Sequence, residues 1–252
     1  MTSTSPATLG SLTGIGVGPG DPNLITVKAL NHLKSAPVVA FPKGLNGRMG
    51  VAQRTITPWI EPHQHQLALQ FPYVRDSQQL TNAWHLAAAQ VWPYLSSGKD
   101  VVFACEGDPS FYGTFTYLAQ ALHSQHPEAN VSAIAGVCSP LAAAAAAGIP
   151  LTMQGQTLAV QPALYAVSKL ETALTWADVV VLMKVSSVYS EVWSLLQRLD
   201  LLACSTVIQQ ASQTEQVIYA DLRQWRELTL PYFSLLIVQP QPQVPGLKAD
   251  LP

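Results

Sequence analysis

The sequence predicts an α/β protein of two units, each built on a mainly parallel or mixed sheet. Three observations predict it. Short apolar runs alternate with helix-like stretches, the alternation breaks near Pro150 and restarts at Leu158, and 252 residues suit two modest domains. Apolar residues make up 48% of the chain and charged residues 11%, a composition that buries a core rather than leaving the chain disordered.

The first strands expected are Leu12 to Val17, Val38 to Phe41, His65 to Leu69, Val101 to Ala104 and Val131 to Ile134, each a short apolar run bounded by turn residues. Helical patterns fill the gaps at Asn23 to Lys34, Ser77 to Ser96, Ser110 to His123 and Ser139 to Ala147. Gly148 and Pro150 close the last of these in the order of a helix stop. A first domain is therefore expected at 1–150, with Gly148 to Thr157 as connector. A second, at 151–252, carries strands at Leu158 to Val160, Val179 to Met183, Thr206 to Gln209, Gln216 to Tyr219 and Ser234 to Val238. Pro240 to Pro252 reads as a Pro-rich tail. The run Ala142 to Ala147 reads as close helix packing, since alanine combines high helix propensity with little bulk.

Several function classes are disfavoured. The longest apolar run, Leu141 to Leu151, is shorter than the roughly 18 to 20 residues a membrane helix needs. The Ser/Thr-rich start lacks the basic and apolar features of a secretion signal, so a cytoplasmic location is expected. Cys105, Cys138 and Cys204 are scattered, and the His63/His65 pair lacks an acidic or thiolate partner, so no metal site is expected. A net charge of −2 offers no electrostatic footprint for nucleic acid.

The most informative segment is Gly14-Ile15-Gly16-Val17-Gly18-Pro19-Gly20-Asp21-Pro22, after the first strand. Its glycines permit close backbone approach to a ligand, while Asp21 and Pro22 suit a helix start. A dinucleotide fingerprint fails because Pro19 stands where the third glycine belongs, and a phosphate loop fails because Asp21 follows Gly20. The same grammar recurs at Glu106-Gly107-Asp108-Pro109 after Val101 to Cys105. Two acid-capped loops at the carboxyl ends of one sheet suit a ligand with positive charge and a polar ribose rather than a polyphosphate, which is the character of S-adenosylmethionine.

These loops, the run Glu106 to Phe115 and the stretch Ile134 to Thr152 resemble the tetrapyrrole methylase family, and within it the subgroup that methylates precorrin-2 at C20 in cobalamin synthesis. Phe71-Pro72-Tyr73-Val74-Arg75-Asp76 resembles a segment of the same subgroup, with Tyr73 in place of the expected methionine. The resemblance implies two α/β domains with S-adenosylmethionine in the cleft between them, a tetrapyrrole substrate and a homodimer. It places Pro19, Glu106, Gly107, Asp108, Phe111, Cys138, Ser139, Met183, Ala211, Ser212 and Ser234 at the cofactor. Ala135 and Cys138 depart from the proline and hydroxyl residue usual in the family. Arg48, Arg54 and Arg75 are candidates for holding the substrate's carboxylates, and Asp108, Tyr112 and Tyr117 for facing its ring. No general base is assigned, because methyl transfer from a sulfonium needs alignment more than proton transfer. Another corrinoid position, cobalt-precorrin-2 as substrate and, more distantly, a nucleotide-binding oxidoreductase remain as alternatives.

Overall fold

A computed structural model describes residues 8–44, 48–72, 74, 76–162 and 167–240. The chain divides into two compact units, Met1–Cys138 and Ser139–Pro252.

The first unit runs β1 (Ser11–Gly16), α1 (Val27–Ser35), β2 (Val38–Pro42), α2 (Val51–Ile56), β3 (His65–Leu69), α3 (Ser77–Ser96), β4 (Val101–Cys105), α4 (Phe115–Gln125) and β5 (Asn130–Ile134). Its sheet has the order β3-β2-β4-β1-β5, and every pairing in it is parallel. All five residues of β4 are buried, as required of a central strand covered on both faces. Leu12 and Phe103 pack on one face with Val91 and Leu95 of α3 and with Leu118 and Leu122 of α4. Ile15, Val39 and Val102 pack on the other with Ala29 and Leu33 of α1 and with Ala52 and Ile56 of α2.

This order has a functional consequence. The connection from β1 passes through α1 on one face to β2, whereas the connection from β4 passes through α4 on the opposite face to β5. The two depart in opposite directions from adjacent strands, so β4 and β1 flank a topological switch point, where open α/β sheets bind ligands beyond the strand ends.

The second unit runs α5 (Ser139–Ala147), β6 (Leu158–Pro162), α6 (Val167–Ala173), β7 (Val179–Met183), α7 (Tyr189–Arg198), β8 (Ser205–Gln209), β9 (Val217–Ala220) and β10 (Ser234–Val238). Its sheet, ordered β6-β7-β10-β8-β9, is mixed: β6 and β7 are parallel, and the other pairings are antiparallel. One face packs on α7, whose Val192, Trp193, Leu195 and Leu196 are buried, with Trp193 Nε1 donating to the Leu222 carbonyl at 2.8 Å. The other face receives Ala143 and Ala144 of α5, against Val179, Val181, Ile208 and Ile237.

That contact places the division before α5 rather than after residue 150. A helix belongs with the sheet that buries it, and the alanine run closes on the second sheet. Two helix starts also differ from expectation. A single 3-10 turn, Pro22–Leu24, follows Asp21, and α1 begins only at Val27, capped by Thr26. The helix expected from Ser110 begins at Phe115, because residues 106–114 form an ordered loop. Beyond Pro240, the expected tail lies outside the described residues.

Candidate functional site

The loops following β1, β4 and β5 meet at the switch point. Gly18 and Gly107 form an isolated antiparallel bridge, with the Gly107 amide donating to the Gly18 carbonyl at 2.9 Å and the Gly18 amide to the Gly107 carbonyl at 3.3 Å. Behind the bridge three glycines are in contact. A Cβ on Gly16 would lie 2.5 Å from the Gly136 Cα, and a Cβ on Gly136 would lie 2.3 Å from the Gly107 carbonyl oxygen. Backbone opposes backbone on each side, so only glycine fits at either position. The glycines of the first loop therefore divide by task. Gly14 does not face a ligand, because the Phe115 ring fills the space where its Cβ would stand, 2.6 Å away. The amides of Gly18 and Gly107 are not exposed donors either, since each is taken up by the other loop.

Both Gly-Asp-Pro segments fold into the same turn. The Asp21 Oδ1 accepts from the Asn23 amide at 2.8 Å, and the Asp108 Oδ1 accepts from the Ser110 amide at 2.8 Å and the Ser110 hydroxyl at 2.5 Å. Asp108 does more than its counterpart, because its Oδ2 also accepts from the Gly136 amide at 2.8 Å. Burial pushes the Asp108 carboxyl up, but hydrogen bonds from the Ser110 side chain, the Gly136 backbone and the Ser110 backbone more than offset this, holding it below the ordinary range of an aspartate. A depressed carboxylate pKa stabilises the folded state above the unfolded value, and that stabilisation is lost as pH falls through the folded value. Asp108→Asn is therefore expected to flatten the loss of stability below about pH 4, as read by urea denaturation at a series of pH values.

The topology brings most of the expected site residues to the carboxyl ends of the first sheet. Pro19 follows β1, and Glu106, Gly107, Asp108, Phe111 and Tyr112 follow β4. The Glu106 Oε1 accepts from the Ala52 amide in the first turn of α2, at 3.5 Å. Tyr112 is half exposed, stands edge-on to Phe111 at 4.9 Å between centroids, and has φ +53°, a left-handed conformation that is costly for a bulky residue. Cys138 closes the first unit and Ser139 opens α5. Arg48 lies exposed on the loop after β2 and Arg54 exposed on α2, while Arg75 and Tyr73 lie outside the described residues. Tyr117 stacks on Trp84 of α3, with centroids 4.3 Å apart and planes 8° from parallel.

In the second unit, Met183 ends β7, Ala211 and Ser212 follow β8, and Ser234 opens β10. Because β10 runs antiparallel to both neighbours, with Leu235 opposite Met183 and Ser234 opposite Gln209, these residues share one end of the sheet. Ser234 is buried with its hydroxyl donating to the Pro231 carbonyl at 2.8 Å, and the Ser212 amide donates to the Gln216 Oε1 at 2.7 Å. Gln210, Ser212 and Lys184, which directly follows Met183, all have positive φ, and the Lys184 Nζ lies 5.3 Å over the Tyr232 ring. Lys184 and Gly136 were not among the residues singled out from sequence.

Other features carry less. A cavity of about 510 Å³ lies on the flank of the first unit between α4 and the edge strand β5, touching the β4 loop at Pro109 and Ser110. Burial pushes the Cys105 thiol up to about 12, with Glu106 adding to the effect, which suits a small core residue rather than a nucleophile. Among the described residues no group of three His, Cys, Asp or Glu converges, and no helix is long and apolar enough to cross a membrane.

An open parallel sheet with helices on both faces and interlocked loops at its switch point places the first unit among doubly wound α/β folds. The family described as Tetrapyrrole (Corrin/Porphyrin) Methylases matches residues 11–224, and the chain belongs to it. The chain is 31% identical over 239 residues to the cobalamin biosynthesis protein CobIJ of Mycobacterium bovis, covering 91% of this chain and 46% of that protein. It thus spans about half the length of that relative. It is 30% identical over 239 residues to a precorrin-2 C(20)-methyltransferase of Sinorhizobium sp, covering 91% of this chain and 95% of that one. The fold is similar to that of a uroporphyrin-III C-methyl transferase of Thermus thermophilus solved with S-adenyl homocysteine, at a TM-score of 0.63 and 19% identity over 91% of this chain and 92% of that one.

Proposed function

We propose that the protein is an S-adenosylmethionine-dependent methyltransferase that methylates precorrin-2 at C20, giving precorrin-3A in cobalamin biosynthesis. The observation that carries the cofactor assignment lies beyond β1. There the Asn23 amide, which would otherwise donate to a phosphate, already donates to Asp21, and the start of α1 is capped by Thr26. The residues fit a cationic nucleoside: the loops present Asp21, Glu106 and Asp108, with Pro19 and the rigid Gly18–Gly107 bridge between them. Membership of the methylase family, and the similarity along nearly the full length of a precorrin-2 C(20)-methyltransferase, support the substrate assignment.

When bound, S-adenosylmethionine supplies an electrophilic methyl group on sulfur. The chain's part is to hold donor and acceptor in line, which in well-oriented systems supplies about 7 to 11 kcal/mol. In this reading Pro19, Glu106, Gly107, Phe111, Cys138, Ser139, Met183, Ala211, Ser212 and Ser234 contact the cofactor, and Asp108 belongs to the same β4 loop. Arg48, Arg54 and Arg75 take the substrate's carboxylates, while Tyr112 and Tyr117 face its ring. The bond from C20 to the methyl carbon would form as the sulfur–methyl bond breaks, S-adenosylhomocysteine would leave, and C20 would then give up its proton to water or a neighbouring group. The same reading carries a homodimer and a cytoplasmic location.

The test is incubation with methyl-labelled S-adenosylmethionine and precorrin-2, followed by NMR assignment of the new methyl carbon. Label at C20 is expected. Label at another carbon overturns the regiochemistry, and transfer only to the cobalt-containing substrate overturns the metal-free assignment.

A further inference from the structure

We infer that Asp108 is a positioning residue, a strut that locks the β4 and β5 loops together across the end of β1, and that its carboxylate does not itself touch the cofactor. This rests on the methyltransferase reading above and assigns Asp108 a different task within it. In the sheet β4 and β5 are not neighbours, because β1 lies between them, so no ladder hydrogen bond can join their ends. The Asp108 carboxylate supplies the missing link: Oδ1 holds Ser110 of its own loop by amide and hydroxyl, and Oδ2 reaches the Gly136 amide beyond β5. Three donors thus converge on one carboxylate, each within 2.8 Å.

The span is possible only because of what lies beneath it. Gly16 ends β1 without a side chain, and its Cα sits so close to Gly136 that a Cβ there would overlap the Gly136 amide nitrogen at 2.5 Å. A side chain on β1 at this point would force the β5 loop away and take the Gly136 amide out of Asp108's reach. The same compact node fixes the Gly107 carbonyl, 2.3 Å from where a Gly136 Cβ would stand, and through the Gly18–Gly107 bridge it fixes the first loop as well. All three loops that this reading assigns to the cofactor are thereby held in one arrangement before any ligand arrives. Such preorganisation raises affinity by removing the ordering cost from the binding step.

The task of Asp108 predicts what its nearest substitute cannot do. In Asp108→Asn one carboxylate oxygen becomes an NH₂ group, which faces an N–H donor whichever way the amide turns. Either the Ser110 pair or the Gly136 amide then loses its acceptor. Asp108→Glu keeps the charge but displaces it by one methylene, so it too breaks the span while preserving any long-range attraction for a cationic ligand.

The test combines calorimetry with S-adenosylhomocysteine and amide hydrogen exchange on the ligand-free protein, for wild type, Asp108→Asn, Asp108→Glu and Ser110→Ala. Both Asp108 variants are expected to bind about tenfold or more weakly, the scale of one lost hydrogen bond to a charged acceptor. Both should also lose protection of the Gly136 amide before any ligand is added. Ser110→Ala, which keeps the fold and removes one donor, should weaken binding by less, about threefold, and should have a smaller effect still in the Asp108→Asn background. Weaker binding with Gly136 protection unchanged would make Asp108 a contact residue and overturn the strut, as would unchanged affinity in both Asp108 variants. Should Asp108→Asn fail to fold, full additivity of Ser110→Ala with Asp108→Glu would overturn it equally. Failure of wild type to bind S-adenosylhomocysteine would instead refute the cofactor assignment, while loss of Gly136 protection in the variants would still establish the strut.

Discussion

Gly136→Ala is expected to abolish cofactor binding and to destabilise the first unit by about 3 to 5 kcal/mol, the sum of an overpacking cost and a lost hydrogen bond to a carboxylate. The added methyl would stand 2.3 Å from the Gly107 carbonyl oxygen and 2.5 Å from the Gly16 Cα. Neither neighbour is the flexible end of a side chain. Both are main-chain atoms at the ends of adjacent elements, so relief requires a loop to move. If the β5 loop moves, the Gly136 amide leaves the Asp108 Oδ2. If the β4 loop moves, the bridge to Gly18 breaks. Gly155→Ala is the control: Gly155 has φ +83° but nothing within 4 Å of its would-be Cβ, so it incurs only the left-handed backbone cost of about 1 kcal/mol. Urea denaturation and titration with S-adenosylhomocysteine measure both variants. Equal destabilisation in the two, with binding retained, would show that contact among the three glycines is not what constrains the site.

The importance of Gly136 was not legible in the sequence, for a physical reason. A glycine's demand for space is set by what lies opposite, and here that is Gly16 and Gly107, far away along the chain. Density of glycines within one segment is a local signal, and it misassigned Gly14, whose vacancy is filled by Phe115. What was legible followed from local periodicity. His65–Leu69, Ser77–Ser96, Val179–Met183 and Ser234–Val238 have the bounds expected of them: Val179–Met183 is uniformly apolar, Ser234–Val238 is apolar after its first residue, and Ser77–Ser96 is a long stretch capped by Asp76. Elements that rest on tertiary support were missed. The helix Val51–Ile56 has six residues and no side-chain cap, too little for a local pattern to declare it. The start of α4 was misplaced because Asp108 turns inward to Gly136 instead of capping a helix. Tyr189–Arg198 did carry a signal, buried residues at Tyr189, Val192, Trp193 and Leu196 in helical spacing, and could have been found from it.

Phe103→Ala is expected to cost about 3 to 5 kcal/mol, with a lowered urea midpoint and an unchanged slope. Phe103 is fully buried at the middle of β4, edge-on to Phe71 with centroids 6.1 Å apart, and 6.0 Å from Phe115 at 28°. Its partner across the β1 ladder is Gly14, so the ring has no side chain beside it on that strand, and the Phe115 ring occupies the space instead. Truncation leaves a cavity that cannot easily close, because β4 is held between β1 and β2 and its backbone cannot sink inward. Phe115, which lies against both Phe103 and Gly14, is positioned to relax into the cavity. That gives the prediction a second, sharper arm. In wild type, Gly14→Ala forces a methyl to within 2.6 Å of the Phe115 ring and should cost about 1 to 3 kcal/mol. In the Phe103→Ala background the ring can shift into the vacated volume, so the same substitution should cost less, a coupling of at least about 0.5 kcal/mol in the double-mutant cycle. Strict additivity would mean that the space above Gly14 and the space around Phe103 are independent. The glycine would then be required by the first loop itself and not by the packing of two phenylalanines beneath it.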